Sequence, residues 1–250
     1  MKVSIITGTY NSEKYIGDCL SSIFMQDYPD IEHIIIDGSS KDRTLKVIKN
    51  TKNRVSKVIS EPDEGIYDAM NKGIRLAQGE IIGILNSDDF YNSNSVISTV
   101  VKAFKESQAD CIYGNLYYVK PDDPSVVVRK WVTGPYNEKY GFRWGWHPAH
   151  PSFFVRKDVY EKYGCFQTDH KISADFELML RFIERFKVKT SYLEYPMVRM
   201  RLGGESSSGL KSHFIGNKEC YRAFKRNNIP IPWFYPIVRV GSKLNQYFNH

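Results

Sequence analysis

Short runs of branched apolar residues alternate, over the first ninety positions, with longer stretches in which apolar side chains recur every three or four residues. Val3–Thr7 reads as a buried strand, and the stretch from Ser12 to Gln26 places Ile16, Cys19, Leu20, Ile23 and Phe24 on one helical face. A second strand ends at Asp37, followed by the turn-rich Gly38-Ser39-Ser40-Lys41-Asp42 and a short helix over Arg43–Lys49. A third strand near Lys57–Ser60 leads to a helix whose apolar face carries Ile66, Ala69, Met70, Gly73, Ile74 and Ala77, with Gly79 as its stop. Ile81–Leu85 is the fourth strand. Strands alternating with helices of this length predict an α/β fold built on a mostly parallel central sheet with right-handed crossovers.

Beyond Asp89 the pattern loosens. It predicts a helix near Ser95–Lys105, strands near Cys111–Tyr118 and Val126–Val132, and a loop rich in Pro, Gly and aromatics from Gly134 to Pro151. A helix from Ala174 to Phe186 and a strand at Thr190–Tyr195 follow. Loops of that length tend to line sites. On this reading 1–90 and 91–210 are two halves of one domain, and 211–250 is a basic, aromatic C-terminal helix and tail.

With 250 residues, 42% of them hydrophobic, the chain can bury a substantial core, so disorder is not the expectation. Cys19, Cys111, Cys165 and Cys220 are widely spaced and form no CxxC pair, so neither a zinc site nor a disulfide scaffold is expected. The chain enters a strand directly, without a basic leader or apolar signal segment, and a cytoplasmic location is the expectation. The net charge of +7 suggests nucleic acid until it is located: seven Lys/Arg and one acid lie from Lys211 onward. No nucleic-acid partner is therefore expected. The tail also holds Ile229-Pro230-Ile231-Pro232-Trp233-Phe234-Tyr235-Pro236-Ile237-Val238, too short for the ~20 apolar residues of a membrane span. Basic plus aromatic suits peripheral contact with a membrane surface and suits equally an arm packed on the body.

The chemistry gathers where strands end. Three apolar runs stop at acids, at Asp37, at Glu61 and at Asn86-Ser87-Asp88-Asp89. In open parallel sheets ligands bind beyond the carboxyl ends of the strands, so these side chains converge on one site. Asp88 and Asp89 suit a hard cation, Mg²⁺ or Mn²⁺, shared with substrate phosphates, although an isolated Asp-Asp pair also caps helices. Thr9, Asn11 and Asp37 bring hydrogen-bonding groups to the ends of the first two strands, where a base and ribose could be read. Gly8-Thr9-Tyr10-Asn11 lacks the GxGxxG spacing and no GxxxxGK[ST] occurs, which argues against a dehydrogenase or P-loop enzyme.

Six segments together resemble the inverting, GT-A-fold enzymes of glycosyltransferase family 2, over residues 1–205. They are Val3–Asn11, Ile35–Asp42, Asp63–Gly73, Ala77–Glu80, Leu85–Asp89 and Ser173–Leu178. The wording Asp-Glu-Gly-Ile-Tyr-Asp-Ala-Met-Asn-Lys-Gly is similar to that of bacterial members that build surface polysaccharide. The resemblance implies a GT-A-like, Rossmann-type sheet flanked by helices, with 1–90 binding a nucleotide-diphosphate sugar and 91–210 binding the acceptor and catalysing transfer.

By the same resemblance, Thr9 and Asp37 contact base and ribose, Asp63 lies beside the base, Asp88 binds the metal with Asp89 as a second candidate, and Asp175 is the general base. The base role agrees with the chemistry, since inversion needs a carboxylate within reach of the acceptor hydroxyl. Glu177, two residues further on, points away from Asp175 on a helix and reads as a surface or structural acid. His150 and Trp146, in the Pro/Gly loop, are candidates for sugar contact. Arg199 and Arg201 feed the Gly/Ser stretch 203–209, which suits a lid closing over a diphosphate. Two departures from the family pattern, Asn86 for the first acid and Arg201 where a His is frequent, leave metal dependence open. The expected function is transfer from a UDP-sugar to a saccharide or lipid-linked saccharide at the inner face of the cytoplasmic membrane. A nucleotidyltransferase and a non-catalytic nucleotide-sugar or glycan-binding module are the alternatives.

Overall fold

The computed structural model describes residues 1–203, 210–239 and 241. In chain order the elements are β1 (Val3–Thr9), α1 (Ile16–Phe24), β2 (Ile31–Asp37), α2 (Thr44–Asn50), β3 (Val55–Ser60), α3 (Ile66–Leu76) and β4 (Ile81–Ile84). Then come β5 (Phe90–Tyr91), α4 (Val96–Ser107), β6 (Cys111–Val119), β7 (Val127–Trp131), β8 (Phe153–Arg156) and α5 (Lys157–Tyr163). The chain continues through α6 (Ala174–Leu180), β9 (Thr190–Arg201) and α7 (Leu210–Arg226).

One sheet runs through the molecule in the order β3-β2-β1-β4-β8-β6-β9-β5, with β7 paired to β6. Its first four strands are parallel, as the alternation of strand and helix predicts. The second half is mixed: β8 runs antiparallel to β4 and β6, β9 parallel to β6, and β5 antiparallel to β9. Every residue of β1 is buried, because helices cover both faces of the sheet, and such strands read as near-continuous apolar runs.

The two faces carry two large cores, beside a smaller cluster of Ile16, Leu20, Ile35 and Ile48. Val3, Ile5 and Ile81 pack with Cys19 and Ile23 of α1 and with Val96, Val100 and Phe104 of α4. Ile6, Ile34, Ile36 and Ile82 pack with Met70 and Ile74 of α3, Phe176 and Met179 of α6, and Ala223 and Phe224 of α7. Gly73 sets how close α3 comes to β1, since a Cβ there would lie 2.3 Å from Ile6 Cγ2. This close packing carries the start of α3 to the strand ends.

Several elements depart from the sequence pattern. The first helix starts at Ile16 rather than Ser12, because residues 12–15 form a turn whose Ser12 N–H is taken by Thr44 Oγ1 at 2.7 Å. The helix over 174–186 is α-helical only to Leu180 and continues as a π-helical turn over Arg181–Arg185. The last strand runs on to Arg201, held by β6 along its length and by β5 at its end, so both arginines are strand residues. The Gly/Ser stretch beyond them, 204–209, lies outside the described residues, as does 242–250 of the tail. Among the described residues no helix is long and apolar enough to cross a membrane.

Candidate active site

The parallel register puts Thr9 opposite Asp37, and Asp37 opposite Ser60, at the carboxyl ends of β1, β2 and β3. Asp37 is fully buried; its carboxylate accepts from Ser40 N at 3.1 Å, from Ser40 Oγ and from Ser60 Oγ at 2.6 Å. Asp63 packs over the backbone of Gly38, where a Cβ would meet its Oδ2 at 2.6 Å. Thr9 Oγ1 is buried without a hydrogen-bond partner, the kind of orphan a bound ligand satisfies. Asn11 sits at φ 48° and binds the facing loop, its Oδ1 accepting from Lys41 N at 2.8 Å.

A second cluster surrounds the turn after β4. Ser12 Oγ and Ser87 Oγ, 2.9 Å apart, join it to the end of β1. Asp89 is buried; its Oδ2 accepts from Asn86 Nδ2 at 2.9 Å while Oδ1 has no partner. Burial and the charge of Asp88 push its carboxyl well above the usual carboxylate range. Burial also raises Asp88, against the opposing pull of Arg201 and His150. Two adjacent acids that resist ionisation, one with an orphaned oxygen, form a donor set that favours a cation. Among the described residues no group of three His, Cys, Asp or Glu that could hold a metal ion occurs.

Asn86 also reaches across to the second half of the molecule. Its Oδ1 lies 3.3 Å from His150 Nε2, and His150 Nδ1 lies 3.3 Å from Asp175 Oδ2. Asp175, in the first turn of α6, is 23% exposed. Its other oxygen accepts from Phe176 N at 2.8 Å and lies 3.3 Å from the Tyr67 hydroxyl, which donates to the Ile172 carbonyl at 2.8 Å. Burial alone would raise this carboxyl, but the hydrogen bond and charge of His150 and the Phe176 N–H outweigh it and hold the group below its ordinary value. It is therefore an ionised, oriented carboxylate at neutral pH.

The structure thus brings Asn86, Asp88, Asp89, His150 and Asp175 into one connected cluster and sets Thr9, Asn11, Asp37 and Asp63 beside the neighbouring strand ends. Arg201 closes the first cluster from behind: it is 4% exposed, donates to the Asp88 carbonyl at 2.6 Å, pairs with Asp18 and stacks on Tyr15 and Phe90. That is a fixed charge on a strand, whereas the sequence pattern suggested an arm of a lid. Arg199 donates to Asn92 Oδ1 at 2.7 Å and to the Pro124 carbonyl at 2.9 Å, outside the acid cluster. Trp146 donates to the Thr133 carbonyl at 2.7 Å and packs in a cluster with Tyr113, Tyr136 and Phe142. Glu177 is fully buried against Arg181, so of its two expected places the surface is wrong and the structural one holds. Tyr67 and Asp18 had no role in the sequence pattern, since each acts through a partner more than a hundred positions away.

Solved glycosyltransferase structures superpose on this sheet. TarS of Staphylococcus aureus matches with a TM-score of 0.68 at 19% identity, covering 100% of this chain and 44% of that one. The mannosyltransferase PcManGT of Pyrobaculum calidifontis, solved with GDP-Man and Mn²⁺, matches at 0.67 with 18% identity, over 97% of this chain and 69% of that one. The fold class is that of the GT-A glycosyltransferases.

The chain belongs to glycosyl transferase family 2, whose model matches residues 4–164. It is 34% identical over 135 residues to the glycosyltransferase GlyG of Streptococcus pneumoniae serotype 4, covering 53% of this chain and 44% of that protein. A PGL/p-HBAD biosynthesis glycosyltransferase of Mycobacterium bovis is 25% identical over 229 residues, 85% of this chain and 82% of that one. The chain thus spans less than half the length of GlyG and of TarS. The family places the chain among the glycosyltransferases rather than the nucleotidyltransferases.

Proposed function

We propose that the chain transfers a hexose or N-acetylhexosamine from a UDP-sugar to an acceptor hydroxyl in a single inverting displacement. The observation that carries the reading is Asp175, an ionised carboxylate held on both oxygens beside the acids that follow β4. Asp175 accepts the proton of the acceptor hydroxyl as its oxygen attacks the anomeric carbon, and the nucleotide diphosphate leaves on the opposite side. Thr9, Asn11, Asp37 and Asp63 bind the nucleoside, while Asp88, with Asp89 behind it, would hold a divalent cation. A bound Mn²⁺ or Mg²⁺ supplies positive charge to the leaving diphosphate. Arg201 adds fixed positive charge beneath the same turn.

Support for UDP comes from TarS, solved in complex with UDP and with UDP-GlcNAc. Support for a lipid-linked acceptor comes from a Methanococcus voltae relative, 32% identical over 212 residues, whose name describes a glucuronosyltransferase acting on a dolichyl N-acetylglucosaminyl phosphate. Trp233 and Ile237, 84% and 71% exposed on the basic C-terminal region, suit peripheral contact with the cytoplasmic face of a membrane, which would keep the enzyme beside such an acceptor.

A thermal-shift screen of nucleotide sugars with Mn²⁺ tests the donor. At a concentration about a hundred times Kd, a donor stabilises the fold by about 2.7 kcal/mol, which raises Tm by about 7 °C for a chain of this size. A UDP-sugar is expected to give this shift, and Asp88→Asn to lose most of it. Absence of any shift with every nucleotide sugar would remove the donor assignment.

A further inference from the structure

We infer that Glu219, on the C-terminal helix α7, is a positioning residue for the general base, so that a helix outside the sheet and outside the family match completes the reactive site. Glu219 is 5% exposed, and its carboxylate accepts three consecutive backbone N–H groups: Lys171 on Oε1 at 2.7 Å, and Ile172 and Ser173 on Oε2 at 2.9 and 2.8 Å. These residues are the run-in to α6, and Asp175 lies two positions beyond Ser173. Bonds from N–H groups to a charged acceptor are the strong kind, and three on successive amides fix the backbone of the run-in.

The same segment is gripped from the opposite side. The Tyr67 hydroxyl, at the start of α3, lies 2.8 Å from the Ile172 carbonyl and 3.3 Å from Asp175 Oδ1. Glu219 therefore holds the amide nitrogens of 171–173 while Tyr67 donates to the Ile172 carbonyl between them and its hydroxyl lies against the base. α7 reinforces the grip through Arg226, which pairs with Asp169 at 2.9 and 3.0 Å, and through Arg222, which donates to the Asp169 carbonyl at 3.1 Å. Gly216 faces Ser173, where a Cβ would come within 3.4 Å of its Oγ. The matched family segment ends at residue 164, so the α7 side of this bracket lies downstream of it, while Tyr67 lies within it.

The inference rests on Asp175 being the base. Glu219→Gln leaves three N–H groups facing one carbonyl oxygen and an NH₂ that accepts nothing. A displacement of about 1 Å at a reacting group can cost about 100-fold in rate, so kcat per folded molecule is expected to fall about 10- to 100-fold. Donor Kd, measured by calorimetry on the same sample, is expected to stay within about twofold, because the strand-end groups are untouched. In an Asp175→Asn background the Glu219→Gln change is expected to add no further loss, since both act through one carboxylate. Should Glu219→Gln fail to fold, Glu219→Asp, still charged but one methylene shorter, is read by the same split of kcat from Kd.

A lowered Tm with unchanged kcat per folded molecule would make Glu219 merely structural and overturn the inference, as would losses that multiply independently in the double variant. Wild-type kcat in Asp175→Asn would take down the base assignment and this inference with it. A dead Asp175→Asn beside a fully active Glu219→Gln would sink this inference alone.

Discussion

Asp175→Asn is expected to lower kcat by about 10³-fold while leaving donor Kd unchanged. Positioned proton transfer contributes about 10²- to 10⁴-fold to enzymatic rates, and the amide keeps the shape of the group, and one of its acceptors, while losing the basicity. Folding is expected to survive, because Asp175 is 23% exposed and its bonds to His150, Tyr67 and Phe176 can be partly remade by an amide. The pH dependence follows from the depressed carboxyl. The ionised form is favoured by folding, so its stabilising effect is present above the ordinary carboxylate value of about 3.9 and is lost as pH falls through the lower folded value. The wild-type rate therefore needs no acid limb from Asp175 between about pH 5 and about pH 8. Transfer at the wild-type rate by the amide variant would assign the base elsewhere.

The largest stability effect is expected at Arg181→Met. Glu177 is fully buried and Arg181 nearly so; the guanidinium reaches both Glu177 oxygens at 3.1 to 3.3 Å and also donates to the carbonyls of Tyr163, Gly164 and Cys165. Asn227 Nδ2, just past α7, completes the Glu177 shell at 3.0 Å. Removing the cation leaves a carboxylate in the core and three carbonyls without their donor. Breaking one side of a buried pair costs about 3–5 kcal/mol, a fall in Tm of about 10 °C, to be read by urea titration and calorimetry. Replacing both partners, Glu177→Met with Arg181→Met, is expected to recover part of the loss, because no charge is then stranded. A single variant within about 0.5 kcal/mol of wild type would show that water or repacking meets Glu177 instead.

The residues that were legible in the sequence share one property: their roles depend on strand ends, which local hydrophobic pattern reveals. Asp37, Asp88 and Asp89 follow apolar runs, and parallel pairing then leaves them at one edge, so their placement follows from period and order alone. The residues that were not legible depend on pairings that pattern does not encode. Phe153–Arg156 falls in a stretch to which the pattern assigns no element, yet it becomes β8 because β4 and β6 each offer it an open edge. Arg199 and Arg201 read as the root of a mobile segment because alternation weakens beyond Tyr195; pairing with β6 and β5 makes them strand residues, and Asp18 then fixes Arg201. Tyr67 carried no local signal either, since its partners lie more than a hundred positions downstream. Glu219 carried no local signal, since the amides it binds lie 46 to 48 positions upstream.

The central claim is that one carboxylate on α6 directs a single displacement at the anomeric carbon of a nucleotide-bound sugar. The proton NMR anomeric coupling of the product, formed from a donor of known configuration, tests it most directly. Inversion, with an α-linked donor giving a β-linked product, is the expected result. Retained configuration, which requires two displacements or attack from the leaving-group side, would contradict it.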